Sequence, residues 1–272
     1  MHRTTRRRAP AAALLPAGLA VAFLALPIVS LVKRAPWSDL PGLLGTGGED
    51  GALTALRLSR VASLSATAIA VLLGLPLAWV LARYPFPGRR LVRALVLLPM
   101  VLPPVVGGVA LLGAFGRNGL LGRWLDSWFG LVLPFTTAGA AVAEAFVSMP
   151  FLVITAEAAF RNLDRRYEEA ARTLGAGPLT VIGRVVLPLT WPALVAGTLL
   201  AWARALGEFG ATITFAGNTP GQTRTMPVAI YLAFQEKPDQ ALALSLVLVA
   251  VSVVVLVALR DSWFGVGPGP VR

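Results

Sequence analysis

Six apolar stretches, each about as long as a bilayer is thick, run through this chain with short arginine-rich segments between them. They cover residues 11–32, 61–82, 94–115, 135–154, 191–209 and 241–259. A helix needs roughly 20 mostly apolar residues to cross the hydrocarbon core. Hydrophobic residues make up 56% of the sequence and charged residues only 14%, where soluble domains carry about 25% charged. A water-soluble core cannot hide that much apolar surface. The expected fold is therefore all-α, a polytopic membrane protein with six transmembrane helices in one domain over residues 11–264. A basic tail, residues 1–10, precedes it, and a loose Gly/Pro-rich tail, residues 265–272, follows.

Six crossings put both ends of the chain on one side of the membrane. With that side taken as cytoplasmic, the inner segments hold fifteen of the 24 basic residues. The excess of Arg on inner loops favours this orientation and places both termini in the cytoplasm. The net charge of +11 is thus a topology signal spread over short loops, not a nucleic-acid-binding face. The first stretch follows Arg3, Arg6, Arg7 and Arg8 and has the form of a signal peptide as well. Its length, and a poor cleavage site at Lys33-Arg34-Ala35-Pro36, favour a retained anchor.

The residue inventory excludes several chemistries. Cysteine is absent, which removes disulfides, thiolate metal sites and cysteine nucleophiles. The single histidine, His2, lies in the basic tail, so no histidine-based zinc site or proton shuttle is expected. A membrane enzyme would need a convergent acid/base or metal constellation, and the carboxylates here are isolated. An ion-coupled secondary transporter, which uses intramembrane acids, stays open through Glu144 and Glu208. A phosphate loop requires Gly-Lys-Ser/Thr, and neither lysine, Lys33 or Lys237, follows a glycine. No metal or cofactor is expected on this chain.

Two features within the apolar stretches bear on transport. The third contains Pro99, Pro103, Pro104, Gly107 and Gly108, which predicts a kinked helix. In lipid such a kink is tolerated where protein or a water-filled cavity covers the freed backbone groups. Residues 226–234 are apolar but too short to cross, and are expected to form a re-entrant or interfacial element after a turn-rich loop at 216–225.

The inner loop at residues 161–188 is more structured than a linker. Leu163, Tyr167, Ala170, Ala171 and Leu174 recur at helical spacing and form an apolar face. Gly175 and Gly177 offer positive φ that stops the helix. Pro178 suits the first turn of a second short helix, with Leu179, Ile182 and Val186 as its stripe. The result is a cytoplasmic helical hairpin whose apolar face needs a groove to cover it.

This stretch resembles the signature loop of the permease subunits of binding-protein-dependent ABC importers. That pattern is Glu-Ala-Ala, three residues, Gly, nine residues, then an aliphatic residue, any residue, Leu and Pro. Glu169, Ala170, Ala171, Gly175, Val185, Leu187 and Pro188 match it. The resemblance implies a type I importer permease fold. It also implies that residues 176–183, with Gly177, Pro178, Leu179 and Ile182, dock in a cleft of a separate ATPase dimer that holds ATP and Mg. An ion-driven transporter has no use for such a loop. The resemblance further implies an extracytoplasmic oxyanion-binding protein, a second copy of the chain to close the pathway, and placement in a bacterial inner membrane.

A second stretch, from Arg204 to Pro227, is similar to the corresponding segment of molybdate permeases. Sulfate permeases resemble it less closely through Ala211-Thr212-Ile213-Thr214-Phe215. Molybdate import is therefore the expected activity, with tungstate and sulfate or thiosulfate as alternatives. Arg204 and Glu208 sit four apart near one end of the fifth stretch. Charges at that depth are costly and usually pair. Two readings stand: a structural ion pair, with Glu144 as a further partner, or a cation that lowers the barrier for a dianion. Gly210, Thr212 and Thr214 would add donors along the same path.

Overall fold

Residues 11–45 and 51–264 are described in a computed structural model of the chain; the two expected tails lie outside them. All regular structure in these residues is helical. Helix α1 spans Ala11–Arg34 and α2 Leu40–Leu44; α3 runs from Ala52 to Arg83. Then come α4, Arg89–Val101, α5, Pro104–Phe115, α6, Gly122–Phe129, and α7, Thr137–Asn162. Helix α8 is Arg166–Thr173 and α9 is Pro178–Val181. One π turn, Ile182–Val186, joins α9 to α10, Leu187–Leu206. The chain ends with α11, Gly210–Phe215, α12, Met226–Glu236, and α13, Pro238–Phe264.

Five of the described helices are long and apolar enough to cross a membrane: Leu14–Arg34, Ala52–Arg83, Thr137–Asn162, Pro178–Leu206 and Pro238–Val257. The expected third crossing differs. It breaks at Leu102–Pro103, and only the shorter Pro104–Phe115 reads as an apolar helix. Pro103 and Pro104 remove two consecutive donors, and the residue before a proline is pushed out of the α region. Leu102 accordingly has ψ 137° and Pro103 ψ 132°.

Two further boundaries depart from expectation. Helix α3 begins at Ala52, well before residue 61, because Arg57 and Arg60 point outward while Ala52, Ala55 and Ser59 face the bundle. The fifth crossing starts at Pro178 instead of residue 191. The second helix of the hairpin is therefore not separate but the extended inner end of that crossing. Residues 226–234 do form a helix, α12, whose start is buried through Met226, Val228 and Ala229.

Helix α7 is the centre of the bundle. Thr136 starts it by accepting a hydrogen bond from Gly139 N–H at 3.0 Å. Small residues line the face of α3 that meets α7, among them Ala62, Ser63, Ala66, Ala70, Gly74 and Ala78. Between apolar helices in lipid, small side chains permit the close backbone approach on which packing depends. Ala66 of α3, Ala145 of α7 and Ala205 of α10 pack together, as do Ala70, Leu152 and Ala201 one turn along. Helices α5 and α11 cover another side of α7 through Leu111, Ala143, Val147, Ala211 and Phe215.

Glycine sets the distance between α5 and α11. A Cβ on Gly108 would lie 2.6 Å from the Thr214 Cβ and 3.0 Å from the Ala211 carbonyl oxygen. A Cβ on Gly113 would meet nothing within 4 Å. Gly108→Ala is therefore expected to destabilise the detergent-solubilised protein by about 1–3 kcal/mol, the usual cost of overpacking. Gly113→Ala should leave its melting temperature unchanged or slightly raised. Equal responses in a thermal melt would contradict the close approach.

Candidate functional site

The residues singled out in the sequence fall into two groups, one at each end of a single continuous helix. The run Pro178–Leu206 has 29 residues, about 43 Å at the rise of an α-helix. Its first end carries the hairpin with the signature residues, and its other end carries Arg204 and the break that follows.

Just before α8, the Asp164 carboxylate accepts from Arg166 N–H, two residues on, at 3.0 Å. Gly175 ends the turn with φ +85°, a conformation that side chains resist. Around it Gly175 N–H donates to Arg172 O at 2.9 Å and Ala176 N–H to Ala171 O at 3.0 Å. Gly177 departs from expectation. Its φ is −71°, and it serves as the extended residue before the helix that Pro178 opens. Glu169, Ala170 and Ala171 lie on α8, which touches the helix Pro178–Val181 and the π turn after it, and Leu187 and Pro188 begin α10.

The apolar faces expected for the hairpin are placed differently by the structure. Tyr167 is 56% exposed, Leu174 89% and Leu179 84%, while Leu163 and Ala171 pack partly against the core. The stripe Leu179–Ile182–Val186 is replaced by Val181 and Val186, which are 1% and 0% exposed. Residues five apart on an α-helix point about 140° away from each other. The π turn between them, with its wider i→i+5 closure, brings both to the same side. From Val186 onward the buried positions Thr190, Leu194, Gly197, Ala201 and Ala205 keep ordinary α spacing.

Sequence reasoning did not find the contact that holds α8 in place. Arg83, at the end of α3, pairs with Glu168 at 2.5 Å, and the two side chains are only 7% and 8% exposed. The signature pattern draws attention to the neighbouring Glu169, which is exposed. Arg83 reads in sequence only as one of the inner-loop charges, and no local spacing connects it to Glu168.

At the far end, α10 stops at Leu206 and α11 resumes at Gly210. The third crossing breaks at the same depth. A Cβ on Gly210 would sit 2.8 Å from the Pro104 Cβ, so the first turns of α5 and α11 touch where both chains restart. Glu208, 2% exposed, lies in the gap. Its carboxylate accepts from Ala211 N–H at 2.8 Å and pairs with Arg204 at 2.7 Å. Arg204 is 29% exposed on its side chain. Glu144, expected as a further partner, is buried on α7 without an ion pair to Arg204. Thr214 is occupied, donating to Gly210 O at 2.8 Å, whereas the buried Thr212 hydroxyl has no hydrogen-bond partner among the described residues. The structure thus joins Arg204, Glu208 and Gly210 in one cluster and sets Thr212 and Thr214 on α11 beside it.

Comparison with known proteins places this architecture. Residues 70–265 match the family model described as "binding-protein-dependent transport system inner membrane component". The chain is 50% identical over 231 residues to the molybdenum transport system permease protein ModB of Mycobacterium tuberculosis, covering 85% of this chain and 86% of that protein. It is 43% identical over 205 residues to the protein of the same description in Escherichia coli, covering 74% and 90%. The sulfate transport system permease protein CysT of Salmonella typhimurium is 42% identical over 184 residues, covering 68% and 66%. In fold, the chain superposes on a bacterial ABC transporter involved in the import of the acidic polysaccharide alginate. The TM-score is 0.70 at 21% identity, over 92% of this chain and 93% of that one. This chain belongs to the family of binding-protein-dependent transport system inner membrane components, and it is a multi-pass membrane protein of the ABC importer type.

Removing one partner of a buried ion pair leaves the other charge uncompensated, at a cost on the order of 3 kcal/mol. Arg204→Ala should therefore reduce the yield of folded, monodisperse protein more than it alters substrate selectivity. Arg204→Ala combined with Glu208→Gln should recover much of that yield. A normal protein level with lost uptake would contradict the structural role.

Proposed function

We propose that this chain is the permease subunit of an ATP-driven importer for a tetrahedral oxyanion, with molybdate as the substrate. The single observation that carries the substrate is the 50% identity over 85% of the chain to a molybdenum transport permease. Sulfate is the second reading, favoured by the 42% identity to a sulfate permease.

In this reading the chain contributes a path and no hydrolysis. ATP and Mg bind a separate pair of ATPase subunits, consistent with the absence of a Gly-Lys-Ser/Thr loop. Residues 166–188 face those subunits from the cytoplasm, where both termini also lie. The exposed Leu174, Leu179 and Tyr167 supply the apolar contact. Residues 176–183, with Gly177, Pro178, Leu179 and Ile182, form the docking segment, and Glu169, Ala170, Ala171 and Gly175 shape the turn before it. Leu187 and Pro188 lead into the membrane.

An extracytoplasmic binding protein delivers the oxyanion to the outer mouth, and a second copy of the chain closes the pathway. ATP favours one of two pre-existing arrangements of the bundle by binding its partner ATPases differently in each. The 29-residue helix Pro178–Leu206 carries that change from the docking end to the break at residues 207–209. There Arg204, Glu208, Gly210, Thr212 and Thr214 border the path. Because Arg204 is neutralised by Glu208, the path presents modest positive potential and does not trap a dianion.

Uptake of labelled molybdate into vesicles holding this chain, its ATPase and its binding protein tests the reading. Uptake should require ATP, be blocked by tungstate and persist in excess sulfate. Equal blocking by sulfate would move the chain to the sulfate branch. No uptake of any oxyanion by an assembled complex would discard the substrate.

A further inference from the structure

The second half of the hairpin is continuous with the crossing Pro178–Leu206, so what remains to be tied to the bundle is α8. Few contacts attach α8. Its exposed residues include Tyr167, Glu169, Ala170 and Arg172, and only Ala171 joins the apolar core in part. The one side chain of α8 that is buried is Glu168. It meets Arg83 at 2.5 Å.

Arg83 does more than neutralise it. The same guanidinium donates to the carbonyl of Leu163, just beyond the end of α7, at 3.1 Å. It also lies 5.3 Å from the ring centre of Trp79. Trp79 in turn packs edge-on against Phe160 of α7, with centroids 5.3 Å apart. One planar cation therefore ties together α3, the end of α7 and α8. Arginine suits this role because its donors are fixed in a rigid fork, which lysine lacks. Helices α3 and α7 are packed together along their small-residue seam, so a displacement of α8 passed to Arg83 reaches both.

We propose that Arg83 and Glu168 are the positioning pair through which movement of the docking hairpin enters the membrane bundle. The proposal rests on the reading that residues 166–188 dock on a separate ATPase. Neither residue touches substrate or nucleotide; each acts by holding α8. Arg172, 4.0 Å from the other oxygen of Glu168, offers that carboxylate a second cation, so loss of Arg83 slackens the attachment without stranding a bare charge.

The test uses the complete complex of this chain, its ATPase and its binding protein in lipid vesicles. Three quantities are read for each variant: ATPase retained on the tagged permease, ATP hydrolysed, and molybdate or sulfate taken up per ATP. Arg83→Gln and Glu168→Gln should each retain the ATPase and hydrolyse ATP, but deliver about tenfold less substrate per ATP. The double variant should be no worse than either single one, because both remove the same contact. Arg83→Lys should recover part of the ratio by restoring charge without the contact to Leu163. If Arg83→Gln does not accumulate, Glu168→Gln decides by the same ratio, since glutamine keeps the volume of glutamate and removes the charge that pairs with Arg83. An unchanged ratio in assembled complexes, or additive losses, would overturn the positioning role alone. Failure of the unmodified chain to retain the ATPase would overturn the docking reading beneath it as well.

Discussion

Everything in this fold depends on α7 passing through the bundle in close contact with α3 and α10. Lipid tails are as apolar as leucine side chains, so burial of apolar surface does not drive helices together inside a bilayer. What remains is close contact, and close contact needs small residues. Alanine, glycine and serine along α3 and α7 supply it, repeated in clusters such as Ala66 with Ala145 and Ala205. Larger side chains collect at the hairpin end, where Leu81, Phe160, Val181 and Val186 share one core cluster. The hairpin is rooted in that end.

The two broken crossings follow from the same constraint. A chain cannot leave backbone groups unsatisfied in hydrocarbon, so irregular segments survive only where protein or a cavity covers them. The breaks at Leu102–Pro103 and at residues 207–209 meet each other, and the backs of α5 and α11 rest on α7. Glu208 is what fills the second gap. It satisfies the amide of Ala211 and is itself neutralised by Arg204. The pair is a structural ion pair, and it stands where the two interrupted helices restart. Between this gap and the hairpin runs one continuous helix, interrupted only by a π turn that adds a residue so that Val181 joins the buried stripe of α10.

Much of this was legible in the sequence, and the reasons for the rest are particular. Apolar length located the first, fourth and sixth crossings, and the proline and glycine content of the third announced a distortion. The start of α3 was hidden because Arg57 and Arg60 look like a boundary, whereas they occupy the outer face of a helix that is already packed on its other side. The inner end of α10 was hidden because Gly183, Pro188 and Pro192 suggest breaks. Gly183 lies within the π turn and Pro188 in the first turn of α10, while Pro192 lies inside that helix. The turn at Gly175 was readable from its residue type. The pair Arg83–Glu168 was not, because it joins positions far apart in sequence and no local pattern records it.

Coupling to a separate ATPase requires the hairpin to be a cytoplasmic surface that the ATPase covers. The chain has no cysteine, so a single cysteine at Leu179, which is 84% exposed, reports on that surface alone. Its reaction with a membrane-impermeant thiol reagent should be measured in inside-out and right-side-out vesicles, with and without the ATPase. The expected outcome is labelling only from the cytoplasmic side and its loss when the ATPase binds. Labelling from the outside, or full labelling with the ATPase bound, would contradict it.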